Sequence, residues 1–210
     1  MKLMVCDLSK TIKGKIILHN VNLCMSSGNV YGFVGRNGSG KTMLFRALSG
    51  LMKIDKGYVE LDGKRLHREF SILPNLGIVL ENAGLFPNMT GRENLKYLAS
   101  FNKKVDEEDV DIALRRVGLN PNDERVYGKY SLGMKQRLSI AQAIMEKPDI
   151  IMLDEPTNSL DETGVDEIRK IILQEKARGA IVLLASHNSE DIRLLTDELY
   201  EVNNGYVIKK

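Results

Sequence analysis

Gly35-Arg36-Asn37-Gly38-Ser39-Gly40-Lys41-Thr42 matches the phosphate-binding pattern G-x-x-x-x-G-K-[ST] at every specified position. At average composition, a chance match somewhere in a chain of this length is on the order of one percent. The flanks agree with it. Val30-Tyr31-Gly32-Phe33-Val34 reads as a short buried strand, and Met43 to Leu48 reads as a helix closed by Ser49-Gly50. A strand, a glycine loop and a helix start together make an anion site. The loop N–H groups point inward and the helix dipole adds positive potential. In this pattern Lys41 reaches the terminal phosphates and the Thr42 hydroxyl takes one position on Mg²⁺. A plain glycine-rich turn does not require Lys-Thr after its last glycine.

Bulk composition sets the class. The chain has 210 residues and is 43% hydrophobic, enough for one sizeable core or a domain with an inserted lobe. Net charge is +2, from 30 basic against 28 acidic side chains. That balance argues against a dominant nucleic-acid footprint, so no nucleic-acid partner is expected. Cys6 and Cys24 lie in apolar, strand-like stretches and are expected to be small core residues in a reducing compartment. An acid at Asp7 interrupts any secretory signal. The longest apolar run, Ala180 to Ala185, is far too short to cross a bilayer. A soluble, cytoplasmic protein is expected, with any membrane role supplied by a partner.

The pattern along the chain changes twice. Lys2 to Leu61 reads as strands with turns, and Asp62-Gly63 is a hairpin signal. Leu76 to Leu80 reads as a buried strand. Thr90-Gly91-Arg92-Glu93 is a capping box opening a helix to about Phe101. Asp106 begins a second helix, stopped near Gly118, and Ser131 caps a third running to about Lys147. A helical lobe is therefore expected over 82–136. Beyond it, the run Asp149 to Leu153 reads as a central parallel strand. A helix over Asp161 to Arg178, a strand over Ala180 to Ala185 and a helix over Ser189 to Leu195 follow. The strands Glu198 to Val202 and Tyr206 to Lys209 flank the turn Asn203-Asn204-Gly205.

The strand ending at Leu153 runs into Asp154-Glu155. In phosphoryl-transfer sites an acid at the end of an apolar strand holds Mg²⁺, directly or through water. Its neighbour Glu155 is then placed to polarise an attacking water. Alone, the pair reads more often as a helix cap; behind a phosphate loop, the functional reading is much the stronger. His187 follows the next apolar strand, in the rank where ligands bind in open α/β sheets. It is expected at the γ-phosphate or the attacking water. His19 and His67 have no such context and read as structural.

Tyr130-Ser131-Leu132-Gly133-Met134-Lys135-Gln136-Arg137-Leu138 resembles the Leu-Ser-Gly-Gly-Gln signature of ATP-binding cassette ATPases. The other landmarks fall in that family's order: the phosphate loop, Glu81 at the glutamine-loop position, Asp154-Glu155, Ser159-Leu160-Asp161 at the D-loop, and His187 at the switch. The resemblance covers essentially the whole chain. It implies ATP and Mg²⁺ as cofactors, with Gly35 to Thr42 and Met43 around the nucleotide and Thr42, Glu81 and Asp154 at the metal. Glu155 and His187 are the implied catalytic pair. It also implies that Ser131 and Gly133, with Asp161, complete a site holding ATP on another subunit. A helix start at Ser131 has its own anion logic, in unsatisfied N–H groups and the dipole.

Several positions depart from the family. Leu132 replaces the first signature Gly, and this form resembles the branch serving export of and immunity to antibiotic peptides and lantibiotics. Glu81 stands where Gln is usual, adding negative charge near a polyphosphate. Met43 replaces a usual Ser or Thr, deleting one hydroxyl near the α-phosphate. No aromatic residue precedes Tyr31. The family's adenine-stacking aromatic falls approximately at Ile12, so weaker or less selective base binding is expected.

The expected fold is α/β: a P-loop ATPase core with an N-terminal antiparallel β region and an inserted helical lobe. The core spans 1–81 and 137–210. The expected function is the ATPase subunit of an exporter, working as a homodimer or with a related ATPase subunit. It would sit at the inner face of the membrane through separate transmembrane permease subunits. A cassette ATPase acting on DNA would need a long coiled-coil insertion, and a ribosomal one normally carries two cassettes; neither feature occurs. A small-molecule kinase with the same loop would not explain Tyr130 to Leu138.

Overall fold

The computed structural model describes residues 1–80, 84–102 and 104–210. Two sheets carry the chain. The first is antiparallel, in the order β2-β1-β4-β5, from β1 (Lys2–Ile12), β2 (Lys15–Ser26), β4 (Lys56–Leu61) and β5 (Lys64–Arg65). Asp62-Gly63 forms the predicted turn, both residues at positive φ. The second sheet has the order β10-β9-β3-β8-β7-β6. Its members are β3 (Asn29–Val34), β6 (Leu76–Val79), β7 (Ile150–Asp154), β8 (Ile181–Ala185), β9 (Glu198–Asn203) and β10 (Tyr206–Lys209). All its pairings are parallel except that of β10 with β9.

Period-two alternation in the parallel strands divides the core. Ile151, Leu153, Val182 and Leu184 face one side, with α4 (Leu132–Ile144), α5 (Glu162–Ala177) and the helical lobe. Ile150, Met152, Ile181 and Leu183 face the other, with the antiparallel sheet and α1 (Lys41–Ser49). Strands buried on both faces read as continuous apolar runs, which is why β7 and β8 were legible.

The lobe's α2 (Gly91–Asn102) opens on the predicted capping box: Thr90 N donates to Glu93 at 2.7 Å, and Glu93 N donates to Thr90 Oγ1 at 3.2 Å. The α3 helix (Glu107–Arg116) is capped by Asp106, and α6 (Ser189–Leu195) by Asn188. Leu95, Val110 and Leu114 pack into the same cluster as Leu138 and Ile140 of α4. The lobe therefore shares its core with the parallel sheet.

Two cysteines differ from expectation. Cys6 is half-buried and Cys24 exposed. In Val21-Asn22-Leu23-Cys24-Met25 the residues Val21, Leu23 and Met25 are buried, so strand alternation turns Cys24 outward. Leu3 and Val5 are buried in β1, so the same alternation leaves Cys6 off the core face.

Candidate functional site

Strand register gathers the site. Phe33 and Asp154 both pair with Ala185, so the ends of β3, β7 and β8 lie in one row. The phosphate loop leaves β3 just beyond that row, Glu155 leaves β7, and His187 leaves β8. The register of β6 against β7, Val79 opposite Leu153, carries the next strand to the same edge. Glu81, two residues beyond β6, lies outside the described residues.

The loop closes tightly at its helix end. Gly40, the residue before α1, has φ 116°, a conformation open to glycine, and no side chain caps the helix start. Its N–H groups are left for an anion. Lys41 is buried and folds back along the loop, donating from Nζ to the Gly35 carbonyl at 2.7 Å and the Arg36 carbonyl at 3.5 Å. Thr42 Oγ1 donates to Asp154 Oδ2 at 2.5 Å. Asn37, Gly38, Ser39, Gly40, Thr42 and Met43 line a cleft of about 1120 Å³ that also reaches Asp154 and Glu155.

Glu155 is held in a left-handed conformation, φ 52°. Its N–H donates to the Ala185 carbonyl at 2.8 Å. Its Oε2 lies 2.8 Å from His187 Nδ1 and accepts from the His187 N–H at 3.3 Å. His187 itself is largely exposed, 62% by side chain. Two buried oxygens have no partner among the described residues: Glu155 Oε1 and Ser39 Oγ. Both belong to cleft-lining residues. A hydroxyl and a carboxylate already in contact, beside orphaned oxygens, suit a hard cation that prefers oxygen ligands and keeps several waters. Thr42 and Asp154 fit Mg²⁺ in that sense.

The signature stretch meets this cleft with some of its residues and not with others. Ser131 starts α4, its Oγ accepting from Met134 N at 3.2 Å. Leu132 is 72% exposed. A Cβ added at Gly133 would meet the Ser159 carbonyl at 2.9 Å, so close backbone approach requires glycine there. Asp161 caps α5 by accepting from Gly164 N at 3.1 Å. Ser131, Gly133, Asp161 and His187 are not among the cleft-lining residues, whereas Leu132, Lys135 and Gln136 are. Gln136 donates to the carbonyls of Glu155 at 3.3 Å and Pro156 at 3.1 Å. It thus ties α4 to the segment after β7.

Three further liners escaped the sequence reading. His19, read there as structural, stacks on Tyr206 with ring centroids 4.3 Å apart and planes 5° apart, and both line the cleft with Ile17. Ile12 does not line it. No local signal joins residues so far apart in sequence.

Residues 18–158 match the family model for ABC transporters. The chain belongs to the ABC transporter family. It is 46% identical over 201 residues to an uncharacterized ABC transporter ATP-binding protein of Bacillus subtilis, covering 96% of this chain and 92% of that one. It is 36% identical to the bacitracin transport ATP-binding protein BcrA of Bacillus licheniformis, covering 97% and 67%. Identity to the lantibiotic transport ATP-binding protein SrtF of Streptococcus pyogenes is 34%, covering 98% and 89%. Among solved structures, the ATP-binding subunit of an ABC transporter superposes with TM-score 0.89 at 26% identity, covering 100% and 90%. A dimeric cassette in a post-hydrolysis state with ADP and Pi gives TM-score 0.88 at 22% identity, covering 99% and 97%. The expected architecture, an α/β P-loop core with an antiparallel region and helical lobe, is the one observed. This ABC protein binds and hydrolyses ATP as a transporter's ATP-binding subunit. No helix among the described residues is long and apolar enough to cross a membrane.

Proposed function

We propose that Mg-ATP occupies the cleft, with Gly35 to Thr42 and Met43 around the phosphates and Thr42, Asp154 and Glu81 toward the metal. The contact between Thr42 and Asp154 supports this most directly. Bound Mg²⁺ would offset the charge developing on the phosphate oxygens. The remaining work belongs to the chain. Lys41 supplies a positive charge to the β/γ-phosphates and Glu155 takes a proton from water. His187 holds the Glu155 carboxylate through Oε2, leaving Oε1 without a protein partner among the described residues.

The reading extends to assembly. Ser131, Gly133 and Asp161 do not line this chain's own cleft, and the Leu132 between the first two is exposed, so Ser131, Gly133 and Asp161 serve ATP on a second cassette, identical or related. ATP then closes a head-to-tail pair, and hydrolysis reopens it. Separate transmembrane permeases recruit the pair to the inner face of the cell membrane. Peptide antibiotics are the favoured cargo, exported outward, since relatives are named for bacitracin and lantibiotic transport. The core comprises 1–81 and 137–210, and the lobe 82–136.

Ser131→Arg tests the shared site. Light scattering with Mg-ATP should show monomers that still bind nucleotide. Mixing with Lys41→Ala subunits can rebuild at most one composite site per pair. Full ATP-dependent dimerisation of Ser131→Arg alone would sink the assignment.

A further inference from the structure

The cleft has two chemically different ends. Lys41, Thr42, Asp154 and Glu155 crowd the polar end. Around Gly40 and Gly205 the lining carries Ile16, Ile17, His19 and Tyr206, with Lys15 and Asn204 beside them. A nucleoside triphosphate has the same polarity: charge at one end and a flat, weakly polar base at the other.

The aromatic end is built rigidly onto the loop. Gly205 N donates to the Ser39 carbonyl at 3.0 Å, and His19 N donates to the Gly205 carbonyl at 2.9 Å. The turn between β9 and β10 therefore joins the phosphate loop to β2. These bonds fix Tyr206, the next residue, against His19. The two rings are nearly parallel and stacked face to face. Tyr206 remains 51% exposed. The cleft's other aromatic, Tyr127, belongs to a short 3-10 turn (Tyr127–Lys129) and carries the Lys135 ammonium 5.4 Å from its ring centre.

We propose that the Tyr206–His19 stack is the platform for the nucleotide base. The assignment rests on the triphosphate lying in the phosphate loop. The C-terminal hairpin thus supplies a phenol ring to a chain in which no Phe, Tyr or Trp precedes Tyr31. Base–aromatic stacking is sequence-tolerant because every base has a π-face, so the platform adds affinity for nucleotides generally.

Calorimetry with Mg-ATP and with magnesium tripolyphosphate separates base from phosphate recognition. In Tyr206→Ala, ATP affinity should fall about tenfold to a hundredfold, the range for losing one stacked base. Tripolyphosphate affinity should not change, and Tyr206→Phe should keep wild-type ATP affinity. Since the chain has no tryptophan, Tyr206→Trp adds a single reporter whose emission should respond to ATP and not to tripolyphosphate. ATP affinity within about twofold of wild type in Tyr206→Ala, or an equal loss for both ligands, overturns the proposal. Wild-type protein that binds neither ligand overturns the phosphate-loop reading, and this one with it.

Discussion

The starts of α1 and α4 offer an instructive contrast. Both are helix N-termini of one fold, and both present backbone N–H groups. At α1 the residue before the helix is Gly40, and no side chain caps it. At α4 the Ser131 hydroxyl already accepts from Met134 N. The first start carries a buried lysine and joins a cleft; the second carries an exposed leucine and no acid–hydroxyl pair. An uncapped start with its own cation is equipped to hold an anion alone. The α4 start, capped and with its Lys135 turned over the Tyr127 ring, is the one proposed to close over an anion held elsewhere. In the proposed reading the same local geometry serves holding at α1 and sealing at α4.

The sharpest way to break this contrast is to stop the chemistry that both starts are proposed to surround. Glu155→Gln keeps size and hydrogen bonding but loses the charge that takes a proton. Single-turnover hydrolysis should fall by about 10²–10⁴-fold, the usual range for a general base. A closed ATP-bound pair should accumulate in light scattering. Near-wild-type turnover without a trapped pair would remove Glu155 from the reaction. Next in size is Lys41→Ala, which strips the first start of its buried charge. Loss of one charge-assisted contact should weaken Mg-ATP binding about tenfold to a hundredfold by calorimetry. Unchanged affinity in the folded variant would erase the distinction. Smallest is Ser131→Ala, which uncaps the second start. Chemical denaturation should show a loss of about 1 kcal/mol, typical of such a cap. A monomer of unchanged stability would show that the capping bond contributes nothing measurable.

The parts visible in sequence were those written locally. The phosphate loop occupies eight consecutive residues, and β7 and β8 are unbroken apolar runs because both faces are covered. Asp154 and Glu155 followed from where such a run stops. Parts built by packing across the chain were illegible. Tyr206 reaches His19 only because the β9–β10 turn bonds to Ser39. Cys24 was misread because an apolar letter occupied an outward slot of β2. Gln136, inside the signature, gave no sign that it would bond to two carbonyls following β7.

With Glu155 as the proposed general base, its left-handed backbone sets stability and turnover against each other. A side-chain-bearing residue there costs about 1–3 kcal/mol, a cost glycine avoids. Variants selected only for surviving heat should drift toward Glu155→Gly and lose hydrolysis. Variants selected for turnover should return to Glu and accept a lower melting temperature. On the proposed role of Glu155, the resting fold is held below the stability its sequence could reach, at the residue proposed to take the proton from water.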